Sequence, residues 1–411
     1  MRRAATLFAT TALAATTLVA TPASAAPATI TQVPYPIDSS NQAAWWSPLD
    51  TYNAYAYLAF NEPGSQAGTH KVAIARRDGA GAWTKLPVMN GSAQAEYTDD
   101  DGHNQPSVAR DGSGRFHVFA SMHNNAWRYF RSDTVGGNPT LHSADLPDQG
   151  VGVTYPVLST APNGDLYLIA RLDGAQSAGR SGRLYRWNDA ASTWTRVAVF
   201  AESANRAVYP DDLQFDTAGN LHILWEWGLW PATAFRHQLS YLVYHPATGA
   251  FTDHSGASVT VPVSTSTADV IQPVEAGEVY QGNDGTGPAV QSAKLTLDGT
   301  SPKVAYRYRK NDVFTVRYAY TNGTWLRETV FDQAQTSAAI DITWAGDGKR
   351  VYYTTATGGM YVATKPGTAW TAAAVAPGLP VTRFAVERSS TQGDVLYLVD
   401  LTNLRLYYGR N

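Results

Sequence analysis

The chain has 411 residues, no cysteine and a formal net charge of -3 at neutral pH. The mild acidity argues against nucleic acid as a partner, and the missing cysteine excludes a thiol nucleophile, a disulfide framework and a Cys-ligated zinc. Without disulfides, a folded chain has to rely on a large hydrophobic core.

The first residues have the features of a secretory signal peptide. Arg2 and Arg3 provide a positive start, an apolar Ala/Thr/Leu-rich run follows, and Ala23-Ser24-Ala25 matches an A-x-A cleavage site. A membrane anchor fits less well because the run is interrupted and ends in small residues, and no later stretch is apolar enough to span a bilayer. We therefore predict a signal peptide over 1–25, secretion without membrane association, and a mature chain of 26–411 with a charge of -5 after loss of the two arginines.

Short runs of alternating residues dominate the rest of the chain, and helical periodicity is nearly absent. Three such runs, at 116–120, 166–170 and 221–225, each follow a turn that ends in glycine. The turn glycines are spaced by 50 and 55 residues, at Gly114, Gly164 and Gly219. Weaker copies of the turn occur at 346–349 and 392–394.

A second repeat, out of phase with the first, places an aromatic residue just after a polar turn, as at a hairpin that enters an outer strand. Its copies are Trp83, Trp194, Phe251, Trp325 and Trp370. An all-β chain with a repeat near 50 residues is typical of four-stranded propeller blades. We predict an all-β fold, a single seven-bladed β-propeller over 26–411, with eight blades as the alternative. The run 404–408 is a candidate to close the ring by pairing with the N-terminal region.

Polar residues at the ends of two neighbouring strands indicate a first candidate site. His103 precedes one predicted strand and His123 follows the next, so a hairpin would bring both to the same rim. His117 lies inside the second strand, where a structural role is the simpler interpretation. Asp99, Asp100 and Asp101 are able to bind a cation such as calcium, although a solvated loop explains them as well.

Two further stretches repeat the same arrangement. Tyr155 opens a predicted strand, and Arg171 ends the next one in an apolar setting, where a guanidinium needs an anionic partner. That partner is either an internal carboxylate such as Asp173 or a carboxylate of the substrate. Tyr209, followed by proline as Tyr155 is, occupies the corresponding place one repeat later.

The stretch DGHNQPSVARDGSGRFHVFASMHNNAWRYFRS, from Asp101 to Ser132, resembles the signature of the BNR-repeat propeller family that includes ulvan lyases. VTYPVLSTAPNGDLYLIARLDG and AVYPDDLQFDTAGNLHILWEW resemble the next two blades of that family, in the same order. The resemblance is close over about 95–245 and rests on blade pattern elsewhere. Related propellers include lyases that cut rhamnose from glucuronate, and α-L-rhamnosidases.

The resemblance implies an active site built from His103, His123, Tyr155 and Arg171, with Tyr209, Asn104 and Asn124 as substrate-binding residues. One segment departs from the family, which often has Trp-Thr-Trp-Arg where this chain has Trp225-Glu226-Trp227-Gly228. A positive charge is missing and a carboxylate is added, which argues against a heavily sulfated substrate such as ulvan.

A lyase that cleaves next to a uronic acid must neutralise the C6 carboxylate, remove the C5 proton and protonate the departing O4. Arg171 is suited to clamp the carboxylate, and a neutral His103 or His123 to act as base. Tyr155 is suited to act as acid, or as both base and acid in a syn elimination. We predict a secreted, monomeric polysaccharide lyase for an acidic poly- or oligosaccharide, ulvan-like or composed of rhamnose and glucuronate. The sequence requires no cofactor, and it does not decide whether a divalent cation such as calcium is bound.

Two other classes of function remain at this stage. A glycoside hydrolase on the same propeller, similar to α-L-rhamnosidases, needs two carboxylates that flank the bond, and no Asp or Glu residues form a clear pair in the sequence. A non-catalytic glycan-binding propeller would share the fold, because function depends on the site rather than on the architecture.

Overall fold

The computed structural model describes residues 28–43, 45–98, 102–174, 179–231, 236–278, 289–311, 313–332, 339–346, 348–355 and 358–411. The predicted signal peptide and Asp99, Asp100 and Asp101 lie outside the described residues. Within the described ranges, no helix has the length and apolar character needed to cross a membrane.

Nearly all regular structure in the described ranges is β-strand, and the one helical element is a short 3-10 turn at Ser143–Asp145. In chain order, the strands are β1 (Thr29–Gln32), β2 (Leu49–Tyr52), β3 (Tyr55–Pro63), β4 (Thr69–Arg77), β5 (Trp83–Pro87), β6 (Met89–Asn90), β7 (Ala93–Gln94), β8 (Glu96–Thr98), β9 (Ser107–Arg110), β10 (Phe116–Phe119), β11 (His123–Asn125), β12 (Tyr129–Ser132), β13 (Pro139–Leu141), β14 (Val153–Thr160), β15 (Leu166–Asp173), β16 (Arg180–Asn188), β17 (Thr193–Ala201), β18 (Arg206–Phe215), β19 (Leu221–Leu229), β20 (Arg236–His245), β21 (Ala250–Thr252), β22 (Asp269–Gln272), β23 (Val290–Asp298), β24 (Ser301–Lys310), β25 (Val313–Thr321), β26 (Trp325–Phe331), β27 (Ile340–Ala345), β28 (Gly348–Thr354), β29 (Met360–Thr364), β30 (Thr371–Ala374), β31 (Arg383–Ser389), β32 (Gly393–Asp400) and β33 (Arg405–Arg410). The prediction of an all-β fold is confirmed.

Hydrogen bonds join the described strands into six sheets. These sheets are built from antiparallel runs of four strands, namely β2–β5, β9 with β10, β12 and β13, β14–β17, β18–β21, β23–β26, β27–β30, and β31–β33 with β1. The runs β14–β17 and β18–β21 belong to one ten-stranded sheet because a parallel bridge joins Arg180 to Ala207.

The first strands of these runs contact one another in a cyclic order. Each contacts the first strand of the next run, from β2 through β9, β14, β18, β23, β27 and β31, and β31 in turn contacts β2. The hydrophobic core lies between neighbouring runs, where Ile169 and Leu184 of one pack with Ile223 and Leu242 of the next. This packing of successive sheets removes the need for a linker or a separate core domain.

The first and last described strands lie in one sheet. Thr29 pairs with Arg410 and Gln32 pairs with Tyr407, so β1 adds an outer antiparallel strand to β33. The predicted pairing of the C-terminal run with the N-terminal region is confirmed. These backbone hydrogen bonds tie the segment that precedes the first run to the last run, in place of a disulfide.

Both sequence repeats correspond to recurrent parts of the runs. The glycine turns join first to second strands, and Gly114 and Gly219 have positive φ angles of 82° and 81° that favour glycine. The aromatic repeat marks the outer strands, because its members begin, lie in or directly precede β5, β17, β21, β26 and β30. The glycine repeat thus marks the inner turn, and the aromatic repeat the outer strand, of the four-stranded runs.

A buried chain of hydrogen bonds supports the turn before β10. Asp111 Oδ2 is 3.2 Å from His117 Nε2, and Tyr129 Oη is 2.8 Å from His117 Nδ1. All three side chains are buried. The same arrangement recurs between β18 and β20, in Asp216, His222 and Tyr241. His117 is therefore a structural residue.

The buried histidines should make stability depend on pH. Burial lowers the pKa of His117 from 6.5 to about 4, although Asp111 opposes the shift. Between these values the unfolded chain binds a proton that the native state does not bind. The contribution of His117 to the free energy of unfolding is therefore fully present above pH 6.5 and is lost as the pH falls towards 4. One such histidine accounts for about 3 kcal/mol.

Urea denaturation at several pH values between 7 and 4 measures this loss. His117→Gln removes the titrating group and is expected to flatten the dependence, while lowering stability at neutral pH through the lost hydrogen bonds. An equal pH dependence in the variant and the wild type would contradict the prediction.

Candidate active site

The structure brings the five residues of the predicted site together at one end of the first strands. They come from three successive antiparallel runs and their connections: His103 lies in the loop before β9, His123 begins β11, Tyr155 lies in β14, Arg171 in β15 and Tyr209 in β18. Tyr155 is the residue that the others surround.

The two histidines are stacked beside Tyr155. His103 and His123 have parallel rings with centroids 3.6 Å apart. His103 Nε2 is 2.9 Å from Tyr155 Oη, within hydrogen-bond distance. His123 is held against β14, where it pairs with Thr154. The sequence does not distinguish the two histidines, whereas in the structure His103 is hydrogen-bonded to Tyr155.

Tyr155 has an unusual backbone for a residue inside a strand. Its φ angle is +57°, and the pairing of β14 with β15 shifts register between Thr154 and Val157. A positive φ is unfavourable for a bulky side chain and persists only where surrounding structure enforces it, which happens most often at functional sites. The ring is 3% exposed and packs on Trp46 and Tyr209 at centroid distances of 5.7 and 5.5 Å.

Arg171 faces the rings of Tyr155 and Tyr209, with its guanidinium carbon 4.8 Å from each centroid. The internal carboxylate suggested by the sequence, Asp173, instead pairs with Arg180 at 2.8 Å. No carboxylate from the described part of the chain forms an ion pair with Arg171. Its charge is stabilised by aromatic faces and remains suited to an external anion.

A second guanidinium, which sequence reasoning missed, completes the site. Arg236 lies opposite Gly228 in the pairing of β19 with β20. Its Nη2 is 3.5 Å from Tyr155 Oη, and its guanidinium carbon is 3.8 Å from the centroid of Tyr209. Arg236 Nε is 3.3 Å from Oε1 of Glu226. The positive charge that appeared to be missing at 228 is thus supplied from the neighbouring strand, and the added carboxylate is its partner. The signal in the sequence was a Glu within an apolar strand, which requires a cation nearby.

Gly228 leaves the space that Tyr209 occupies. A Cβ atom at this position would lie 2.3 Å from Cε2 of Tyr209. Gly228→Ala is therefore expected to displace that ring and reduce turnover about tenfold, because small misplacements at a site are costly. Gly367→Ala, where a Cβ would meet nothing within 4 Å, is the control. Equal turnover in both variants would contradict the proposed contact.

The two asparagines differ in their surroundings. Asn104 is buried, and its backbone carbonyl accepts a hydrogen bond from Asn61 Nδ2 at 3.0 Å, which anchors the loop that carries His103. Asn124 is exposed, and its backbone N–H donates to Thr154 Oγ1 at 2.9 Å. Their assignment to substrate binding stays a prediction.

Burial and the positive charges near Tyr155 shift its pKa in opposite directions. Burial raises the pKa of Tyr155, and the positive charges of Arg236 and Arg171 oppose that shift. Burial and the neighbouring Asp211 likewise raise the pKa of Glu226, against the influence of Arg236 and Arg307. Across the described ranges, no three His, Asp or Glu side chains are grouped closely enough to hold a metal ion.

Comparisons with known proteins concern the sequence and the fold of the chain. The sequence model of a BNR repeat-containing family matches residues 44–333. No curated protein matches the sequence.

Solved structures share the fold at low sequence identity. An ulvan lyase of polysaccharide lyase family PL25 is 15% identical, with a TM-score of 0.69 and 94% of both chains covered. Another structure of a PL25 ulvan lyase is bound to -[GlcA(1-4)Rha3S]-. The polysaccharide lyase Uly1 is 15% identical, with a TM-score of 0.66 over 92% of this chain and 90% of that one. The lectin BP39L from Burkholderia pseudomallei is 12% identical, with a TM-score of 0.56 over 88% and 93%.

Proposed function

We propose that this chain, which belongs to the family of BNR repeat-containing proteins, is a secreted polysaccharide lyase that cleaves a glycosidic bond to a uronic acid. The observation that carries the proposal is the 2.9 Å contact between His103 Nε2 and Tyr155 Oη beside the guanidinium of Arg171. In the proposal, His103 and Tyr155 move protons and the cation of Arg171 binds a carboxylate.

Arg171 is the proposed carboxylate clamp. Its fork of N–H donors matches a carboxylate in geometry and charge, and Asp173 does not neutralise it because Asp173 pairs with Arg180. A carboxylate bound there becomes more enolate-like as the C5 proton leaves, so the cation stabilises the transition state more than the bound substrate. The ulvan lyase complex with a glucuronate-containing saccharide supports a uronic acid as the ligand.

The proton transfers are assigned to His103 and Tyr155. His103 takes the proton from C5, the C4–O4 bond breaks with its electron pair on O4, and Tyr155 gives its proton to that oxygen. A double bond forms between C4 and C5. The proton on His103 then passes to the phenolate across their hydrogen bond, which restores both groups.

The hydrolase alternative is less well supported by the carboxylates near Tyr155. Glu226 has 0% exposure and pairs with Arg236, and the equally buried Asp211 accepts a hydrogen bond from the backbone N–H of Ala293. Neither is placed at a surface where a bond to be hydrolysed would lie between two carboxylates.

Near-ultraviolet absorbance distinguishes the three classes of function. We expect the purified mature chain to produce an absorbing C4–C5 double bond from polysaccharides that contain rhamnose and uronic acid. New reducing ends without that absorbance would indicate a hydrolase. Binding without either product would indicate a lectin. The screen includes sulfated and unsulfated glycans in order to determine whether the substrate is sulfated.

The remaining parts of the proposal concern architecture and setting. Each antiparallel run is taken as one blade, which makes the fold a seven-bladed propeller with its site at one mouth. The signal-peptide pattern at 1–25 supports export, and a monomer needing no cofactor is proposed, with calcium binding to be tested by adding a chelator to the assay.

A further inference from the structure

Arg236 and Glu226 form a buried ion pair behind Tyr155, on strands that the proposed mechanism does not otherwise use. Glu226 lies in β19 and Arg236 in β20, and the carboxylate is completely buried. The pair reaches the site through Arg236, whose Nη2 is 3.5 Å from Tyr155 Oη. A buried charge pair of this kind rarely increases stability over apolar packing of the same volume, which points to a role other than stability.

Arg236 is held in one orientation by contacts on several sides. Its Nε is 3.3 Å from Oε1 of Glu226, and its guanidinium carbon is 3.8 Å from the Tyr209 centroid and 5.8 Å from that of Trp45. In this orientation the guanidinium directs an N–H group at the phenol oxygen. A preorganised donor of this type stabilises negative charge without reorganisation at the moment of reaction.

We propose that Arg236, held by Glu226, is a positioning residue that stabilises the phenolate of Tyr155 when this tyrosine gives up its proton. Arg236 acts through Tyr155 and does not itself contact the bond that breaks. The catalytic role of Arg236 rests on the proposed function, whereas its effect on the ionisation of Tyr155 does not.

Arg171 and Arg236 have separate parts in this arrangement. Both lie near the Tyr155 and Tyr209 rings, but a carboxylate within the described chain neutralises only Arg236. Arg171 is left for the substrate, and Arg236 for the tyrosine. A second fixed cation thereby favours the phenolate without competing for the carboxylate of the sugar.

The ionisable groups around Tyr155 come from five segments of the chain, and the Trp45–Trp46 segment that also packs against its ring carries none. These groups are His103 before β9, His123 of β11, Arg171 of β15, Tyr209 of β18 and Arg236 of β20. Behind Arg236, Glu226 is also influenced by Asp211 and Arg307. Burial raises the pKa of Tyr155, and Arg236 is the strongest of the charges that oppose the shift.

Two substitutions of opposite charge effect test the proposal. Arg236→Gln removes the positive charge, so the pKa of Tyr155 should rise by about one unit or more. Glu226→Gln leaves the charge of Arg236 uncompensated, so the pKa of Tyr155 should fall. Arg236→Lys retains the charge and should keep the titration near that of the wild type.

The titration is followed directly by NMR of protein labelled with 13C at the tyrosine Cζ, with Tyr155→Phe to assign the signal. The basic limb of the pH profile of kcat/KM is measured beside it and should move in the same direction. The NMR titration does not depend on whether the protein is a lyase. It therefore tests the effect of Arg236 on Tyr155 separately from the proposed function.

Arg110→Gln is the matched control. Arg110 also pairs with a carboxylate, Asp50, at 3.0 Å and stacks on a tyrosine, Tyr52, at 4.0 Å, but neither partner belongs to the site. It should lower the melting temperature and leave the titration of Tyr155 unchanged.

A titration of Tyr155 that is the same in Arg236→Gln and in the wild type overturns the inference. So does a shift of the same sign in Arg236→Gln and Glu226→Gln, because a purely structural disturbance has no reason to follow charge. Should Glu226→Gln fail to fold, the difference between Arg236→Gln and Arg236→Lys decides. Shifts as expected in a protein without lyase activity would refute the proposed function and leave the electrostatic coupling intact.

Discussion

Tyr155→Phe is expected to lower turnover by about 100- to 10,000-fold, the range in which a positioned acid or base contributes to rate. The substitution removes one hydroxyl group and keeps the ring that packs on Trp46 and Tyr209. It also removes the hydrogen bond to His103, so the histidine loses its route for returning a proton. Because the aromatic packing remains, substrate binding and the melting temperature should change little.

Tyr129→Phe is a matched control for that experiment. Tyr129 is a buried tyrosine whose hydroxyl is 2.8 Å from His117 Nδ1, inside the structural chain before β10. Its loss should cost about 1 kcal/mol of stability, as for an ordinary buried hydrogen bond, with turnover unchanged. Turnover of Tyr155→Phe within about twofold of the wild type would remove Tyr155 from the mechanism, a threshold far below the effect expected of an acid or base.

Arg171→Lys is expected to reduce turnover by about 100- to 1,000-fold, as does the loss of one preorganised donor at developing negative charge. Lysine keeps the charge but loses the planar fork that binds a carboxylate through two hydrogen bonds. The interaction strengthens as charge develops during proton removal, so the loss should appear in kcat more than in binding.

Measuring the melting temperature and the turnover on the same sample separates catalysis from stability. Arg180→Lys serves as control, because Arg180 is the arginine that pairs with Asp173, at 2.8 Å. It should affect stability more than turnover. A destabilised Arg171→Lys protein with normal turnover would assign Arg171 a structural role and weaken the proposal of a lyase with it.

The strand pattern was predictable from the sequence because it depends on local chemistry. Turns need glycine at positive φ angles, as at Gly114 and Gly219, and strands need residues that alternate between two faces. These requirements recur in each unit, so they leave a periodic trace near 50 residues. The same reasoning indicated that polar residues at strand ends, such as His103 and Tyr155, would reach one rim.

The relations between strands that are distant in the sequence required the tertiary structure. The hydrogen bond of His103 to Tyr155 joins residues 52 positions apart, and nothing local to either histidine distinguishes His103 from His123. The positive φ of Tyr155 likewise coincides with a register shift between β14 and β15, which is a property of the paired strands.

The sequence by itself thus determined an all-β repeat, through its composition and the spacing of its turns. It also determined which polar residues end neighbouring strands at one rim. Both features depend on residues that are close together along the chain. The tertiary structure alone decided that Arg236 enters the site opposite Gly228 and that Asp173 binds Arg180 rather than Arg171. The physical reason is that charge pairing depends on distance in space. In a sheet, that distance is set by strand register and not by separation in sequence.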